Sequence, residues 1–172
     1  MTDRVAPDVL VFERDETKVL NNYFDATKEA YFPKLKHINI NYIFRTVQEK
    51  DSEGNLVVGA ARKLSNKERD LYGFDFEICV HKETWIDANK KYKQRIAWHE
   101  LRHLEVKYKY KMNEPMVDRA GRVKTGLLKH DLVIMTFLEE IEIFGPTGQQ
   151  KDAIFLIEKY LKKKKRKIKR RR

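Results

Sequence analysis

The sequence predicts an α+β domain: a small, mostly antiparallel sheet packed on one long helix, with further helices and a disordered basic tail. Three observations carry that expectation. Two stretches alternate apolar and polar residues at the period of a strand, Ile38 to Arg45 and Phe74 to His81. A third, from about Ala88 to Lys107, repeats Ala97, Leu101, Leu104 and Tyr108 at helical spacing. The last eleven residues, Lys162 to Arg172, are Lys or Arg throughout except Ile168. Such a run repels itself and buries nothing.

Taken in order, the chain opens with a polar lead-in and a short apolar run, Val9 to Phe12. Asp15 is placed to cap a helix that runs to about Tyr31, with Val19, Tyr23, Ala26 and Ala30 along one face and Pro33 ending it. In the first strand Ile38, Ile40, Tyr42 and Phe44 share a face. The turn Asp51 to Asn55 then leads into a second strand, Leu56 to Arg62, predicting a hairpin. Gly59, Ala60 and Ala61 carry little bulk, so another element can approach closely there. A polar loop precedes the strand Phe74 to His81, and Trp85 with a short linker leads into the long helix. Residues 109–129 hold Pro115, Gly121 and Gly126 and no sustained period, which predicts an irregular loop beside that helix. Asp131 to Phe144 reads as a helix stopped by Gly145-Pro146, and a last helix covers about Gln149 to Leu161.

Length allows one domain with a real core, residues 1–161, and a separate tail, 162–172. Formal net charge is +11, and the tail's ten positive charges leave the body at +1. A single cysteine, Cys79, excludes an internal disulfide and a cysteine-rich zinc finger, and fits a reducing compartment. It reads as an ordinary small strand residue. Residues 1–12 carry acidic groups and no continuous apolar core, so no signal peptide is expected, and no stretch reaches the length of a membrane span. A cytoplasmic protein is the expectation.

The long helix contains His99-Glu100-Leu101-Arg102-His103, an H-E-x-x-H motif. Four residues apart on a helix, His99 and His103 leave one face a turn apart, so both imidazoles can reach one Zn²⁺. Glu100 sits beside them, where a carboxylate can deprotonate a zinc-activated water. The bland alternative is a charged amphipathic helix that happens to carry two of the chain's 5 histidines; ligand spacing around a glutamate favours the metal.

Catalytic zinc takes a third protein ligand and a water. His130 is the first choice, at a helix start. Asp131 is the second, as ligand or as the partner that orients a histidine ring; Glu139, Glu140 and Glu142 follow. The implied chemistry is peptide hydrolysis: Zn²⁺ polarises the scissile carbonyl and acidifies its water, and Glu100 carries the proton to the leaving amine. His81, Tyr108 and Tyr110 are candidate oxyanion donors, unranked, and the strand Phe74–Val80 is a candidate for pairing with an extended substrate.

Tyr72-Gly73-Phe74-Asp75-Phe76-Glu77-Ile78, then Trp85, then Trp98-His99-Glu100-Leu101-Arg102-His103, resembles the putative phage metallopeptidase family. His130-Asp131, Phe137 and Phe144-Gly145 are similar to its C-terminal pattern, and the resemblance covers roughly residues 15–145. In plan it is similar to SprT-like and other minimal zincins. The resemblance implies a zincin-like fold, zinc held by His99, His103 and His130, one ion per chain, Glu100 as the catalytic residue, and the host cytoplasm as location. It names no substrate beyond protein or peptide.

The tail lies outside the resemblance. Its charge would attract phosphate backbones without sequence preference, although no aromatic residue interleaves with it to stack on bases. The alternative is a solvated end that raises solubility. Two functions therefore compete: a zinc peptidase that residues 162–172 can tether to nucleic acid, and a non-enzymatic nucleic-acid-binding protein whose zinc is structural or vestigial. No membrane partner is expected, and oligomeric state is not legible.

Overall fold

Ile40, Tyr42 and Phe44 on one strand and Phe76, Ile78 and Val80 on another are all buried, and their alternation builds the floor of the core. They belong to β2 (Ile40–Arg45) and β6 (Phe76–His81), which lie side by side and parallel in the computed structural model. This structure describes residues 11–51, 54, 56–129, 138–148, 151, 154 and 155. The order of elements is β1 (Phe12–Arg14), α1 (Val19–Tyr31), a 3₁₀ turn (Pro33–His37), β2, β3 (Glu49–Lys50), β4 (Leu56–Val57), β5 (Gly59–Lys63), α2 (Asn66–Tyr72), β6, α3 (Lys82–Asp87), α4 (Lys90–Arg102), β7 (Leu104–Val106), β8 (Thr125–Leu127) and α5 (Leu138–Phe144). The described residues divide after Leu128 into two units, and α5 belongs to the second. Among them, no helix is long and apolar enough to cross a membrane.

The main sheet runs β1-β2-β6-β5, with antiparallel pairs at both margins and the parallel pair between them. The expected α+β class and mostly antiparallel sheet therefore hold, with a parallel centre that a local reading does not reveal. The expected hairpin is corrected. Its turn closes only a short ribbon, β3 with β4, and β5 pairs with β6 instead of β2. A parallel pair needs a long crossover, and residues 46–75 supply it.

Helices cover one face of the sheet. Lys18, at φ 55°, holds the N-cap position of α1, and Asp15 serves the helix start from three residues earlier: its carboxylate accepts from the backbone N–H of Val19 (3.0 Å) and Asn21 (2.9 Å). The buried face of α1, however, is Leu20, Phe24 and Thr27. Val19, Tyr23, Ala26 and Ala30 instead line a groove against the start of α4. Phe24 stacks on Trp85 of α3 with ring centroids 5.9 Å apart, so the expected linker is a short helix with a core anchor. The expected polar loop before β6 is also a helix, α2. Ser65 and Glu68 form a reciprocal capping box and Gly73 closes the far end at φ 74°.

One residue of α2 holds three segments together. Arg69 is buried, donates from Nε to Asp75 Oδ1 (2.9 Å), and donates from Nη2 to the Val123 carbonyl (2.8 Å). Removing one partner of a buried pair strands the other, a cost of about 3–5 kcal/mol. Arg69→Met is therefore expected to lower unfolding free energy by about 3 kcal/mol in a denaturant titration; a loss below about 1 kcal/mol, the range of exposed pairs, would contradict the role given to this pair.

Candidate metal centre

The motif lies at the end of α4. Asn89 starts the helix by accepting from the Tyr92 N–H at 2.9 Å, and Ile96, Ala97 and Leu101 turn inward. The helix is shorter than its spacing predicts. It ends at Arg102, and Leu104 to Val106 leave as strand β7, which pairs antiparallel with β8. Leu104, Val106 and Tyr108 also fit a period of two, and Leu104 and Val106 are buried on that period. Pairing with β8 decides between the two readings.

His99 and His103 leave the same side of this helix end with ring centroids 5.1 Å apart and planes at 77°. Both are partly exposed. His103 Nδ1 lies 2.8 Å from the Leu128 carbonyl. A carbonyl only accepts, so Nδ1 carries the proton and Nε2 becomes the basic nitrogen. This is how outer hydrogen bonds prepare histidine ligands. The loop that supplies Leu128 is more ordered than expected, with isolated bridges Tyr108↔Pro115 and Val117↔Val123 ahead of β8.

Glu100 is buried at 4% exposure and faces the edge strand. A Cβ built on Gly59 of β5 would lie 2.5 Å from Glu100 Oε1, inside any real contact distance. The low bulk expected at residues 59–61 thus has a specific neighbour: the motif carboxylate rests against strand backbone, and any Cβ at residue 59 would displace it.

The other expected residues sort differently. His130 and Asp131 lie outside the described residues. In the second unit, α5 carries Glu139 and Glu142 exposed and Glu140 buried. Among the described residues no three His, Cys, Asp or Glu side chains gather as a metal site. The donor set present, two imidazoles at one helix end with one held in its ligating tautomer, fits two positions of a zinc site. The oxyanion candidates are engaged elsewhere or exposed. His81 Nδ1 lies 2.8 Å from the Thr84 hydroxyl and caps α3, Tyr108 donates to the Lys34 carbonyl at 2.8 Å, and Tyr110 is 86% exposed. Cys79 sits within β6, where burial pushes its thiol up to about 11.

Substrate pairing on Phe74–Val80 is also corrected. β6 has β2 on one side and β5 on the other, so its backbone groups are already used. The margin next to the motif is β5.

No curated protein and no solved structure matches the chain. A family model described as putative phage metallopeptidase matches residues 14–153, which takes in every element above except the first two residues of β1. The pair of histidines at the end of α4, the glutamate between them and a match over most of the length lead to one conclusion: the chain belongs to the putative phage metallopeptidase family.

Proposed function

We propose that this chain is a zinc-dependent peptidase of minimal zincin plan, with His99, His103 and His130 holding the ion and Glu100 as general base. The observation that supports it best is the pairing of His103 Nδ1 with the Leu128 carbonyl, which prepares the opposite ring nitrogen for a metal one helical turn from His99. Asp131 and the buried Glu140 follow His130 as third ligand.

A bound zinc ion supplies Lewis acidity and brings the ionisation of water into the neutral range. Glu100 takes the proton of the attacking water and delivers it to the departing amine. Its burial against Gly59 limits where its carboxylate can go, so the base is held in place before substrate arrives. The margin of β5 is unpaired with any strand among the described residues, and an extended peptide can add there as a further strand. A groove of about 520 Å³, lined by Phe32, Leu35, Leu104, Tyr108 and Leu128 among others, suits an apolar side chain. The tail, residues 162–172, is proposed as a salt-sensitive tether to nucleic acid.

Elemental analysis tests the site directly. The purified protein is expected to carry about one zinc per chain, and His99→Ala with His103→Ala to carry none. Equal zinc in both proteins, or none in either after zinc is supplied, rejects the proposal.

A further inference from the structure

The segment between β7 and β8 doubles back twice and forms an arm of two short ribbons. Its rungs are backbone hydrogen bonds: Met116 N–H to the Lys107 carbonyl (2.7 Å), Lys109 N–H to Glu114 (3.0 Å), Lys124 N–H to Met116 (2.7 Å) and Asp118 N–H to Arg122 (2.9 Å). Its first limb reads Lys107-Tyr108-Lys109-Tyr110-Lys111, cation and aromatic in alternation, and ends on Met112.

Charge is concentrated here. Residues 107–128 hold six Lys or Arg against Glu114 and Asp118, a net +4, although the whole of residues 1–161 amounts to +1. Both acids are occupied within the arm, Glu114 by Lys109 at 2.8 Å and Asp118 by Arg122 at 2.8 Å. Lys107, Arg119 and Lys124 make no ion pair among the described residues, and Lys107 and Lys124 are exposed.

The apolar groups at the tip are equally out of place in a folded core. Tyr110 is 86% exposed and Met112 60% exposed, and the Lys111 ammonium lies 5.3 Å from the Tyr110 ring centroid. Lys111 itself holds φ 58°, a left-handed conformation that non-glycine residues seldom adopt and that turns the tip. Tyr108, by contrast, is pinned against the body through its bond to Lys34. An exposed aromatic face between cations is the chemistry that holds a base over a phosphate backbone. One tyrosine and one methionine are too little apolar area to anchor a protein at a lipid surface.

We infer that this arm is a binding surface for single-stranded nucleic acid, with Lys107, Lys111 and Lys124 facing phosphates and the Tyr110 ring stacking on a base. The inference stands apart from the peptidase reading and from the tail. It places a polymer contact one strand away from the Leu128 carbonyl that holds His103, so a protein bound to that polymer would be presented near the candidate site.

The test uses the full chain and a fluorescent twenty-nucleotide oligo(dT), with oligo(rU) of equal length and anionic phosphatidylserine vesicles as parallel arms. Affinity is measured across a salt series. Lys107→Gln, Lys111→Gln and Lys124→Gln together are expected to reduce the slope of log K against log salt by about 2, as loss of three phosphate contacts on a single strand requires. Tyr110→Ala is expected to weaken binding about ten-fold with the slope unchanged. An oligonucleotide carrying 5-iodouracil should photocrosslink to Tyr110. Equal losses on both oligomers support a contact to features DNA and RNA share, and loss on one alone identifies which polymer the arm prefers. Wild-type affinity and slope in both variants, with crosslinks confined to residues 162–172, would overturn the inference by assigning all binding to the tail. It would also fall if the wild type bound neither oligomer, or if the variants lost vesicle binding alone.

Discussion

With Glu100 replaced by Gln, peptide hydrolysis is expected to drop by about 10²–10⁴-fold, the share a positioned general base contributes, while zinc per chain stays at the wild-type value. The amide has nearly the shape of the carboxylate, so it fits the same buried space between α4 and Gly59. What it loses is the ability to accept a proton near neutral pH. The decisive comparison is turnover of a casein or peptide library substrate against metal content on the same preparations. Undiminished turnover would remove Glu100 from the chemistry. A wild type that holds zinc and binds oligonucleotides yet cleaves nothing, with Glu100→Gln indistinguishable from it, would favour the non-enzymatic reading.

The second large effect is expected at Gly59→Ala, a change far from any metal ligand in sequence. The added methyl would stand 2.5 Å from Glu100 Oε1 and 2.8 Å from its Cδ, so the carboxylate has to move. The side chain can swing, which keeps the cost in stability small. The base, however, leaves its position, and a misplacement of about 1 Å costs roughly 10²-fold in rate. The expected outcome is a protein with wild-type melting and zinc content and about a hundredth of the turnover. Turnover within two-fold of wild type would show that Glu100 tolerates relocation, and so that its contact with β5 does not set its catalytic position.

The parts of the fold legible in the sequence are those where one pattern has one meaning. The alternation of Ile40, Tyr42 and Phe44, and of Phe76, Ile78 and Val80, marks buried faces that no helix would produce. The histidine spacing likewise holds on α4. Where two patterns overlap, the local reading fails: Leu104 fits both the helix before it and the strand after it, and the contact that decides, with Leu127, is remote. The order of strands is hidden for the same reason, since Ile40 pairs with Phe76 across the whole crossover. Helix α2 is masked by its polar composition, which reads as a loop, although Ser65, Glu68 and Gly73 spell its start and stop. Neither the tautomer of His103 nor the fit of Gly59 to Glu100 is written in any spacing, because both depend on backbone atoms brought in from elsewhere. His130, the remaining ligand assignment, rests on the sequence and the resemblance alone.

Residues 103 and 128 grip each other twice. The Leu128 N–H donates to the His103 carbonyl at 2.7 Å, and the Leu128 carbonyl accepts from the His103 ring at 2.8 Å. The arm between them is anchored by that double fastening and the β7–β8 pair, and again by Arg69 on the Val123 carbonyl and by Tyr108 on Lys34, which leaves its tip free. The arm is therefore a cassette with a fixed base. Its tip can be lengthened, exchanged or given an epitope at Asn113 without transmitting strain to the histidines. A chain of this kind can acquire new recognition elements at its periphery while its chemistry stays put.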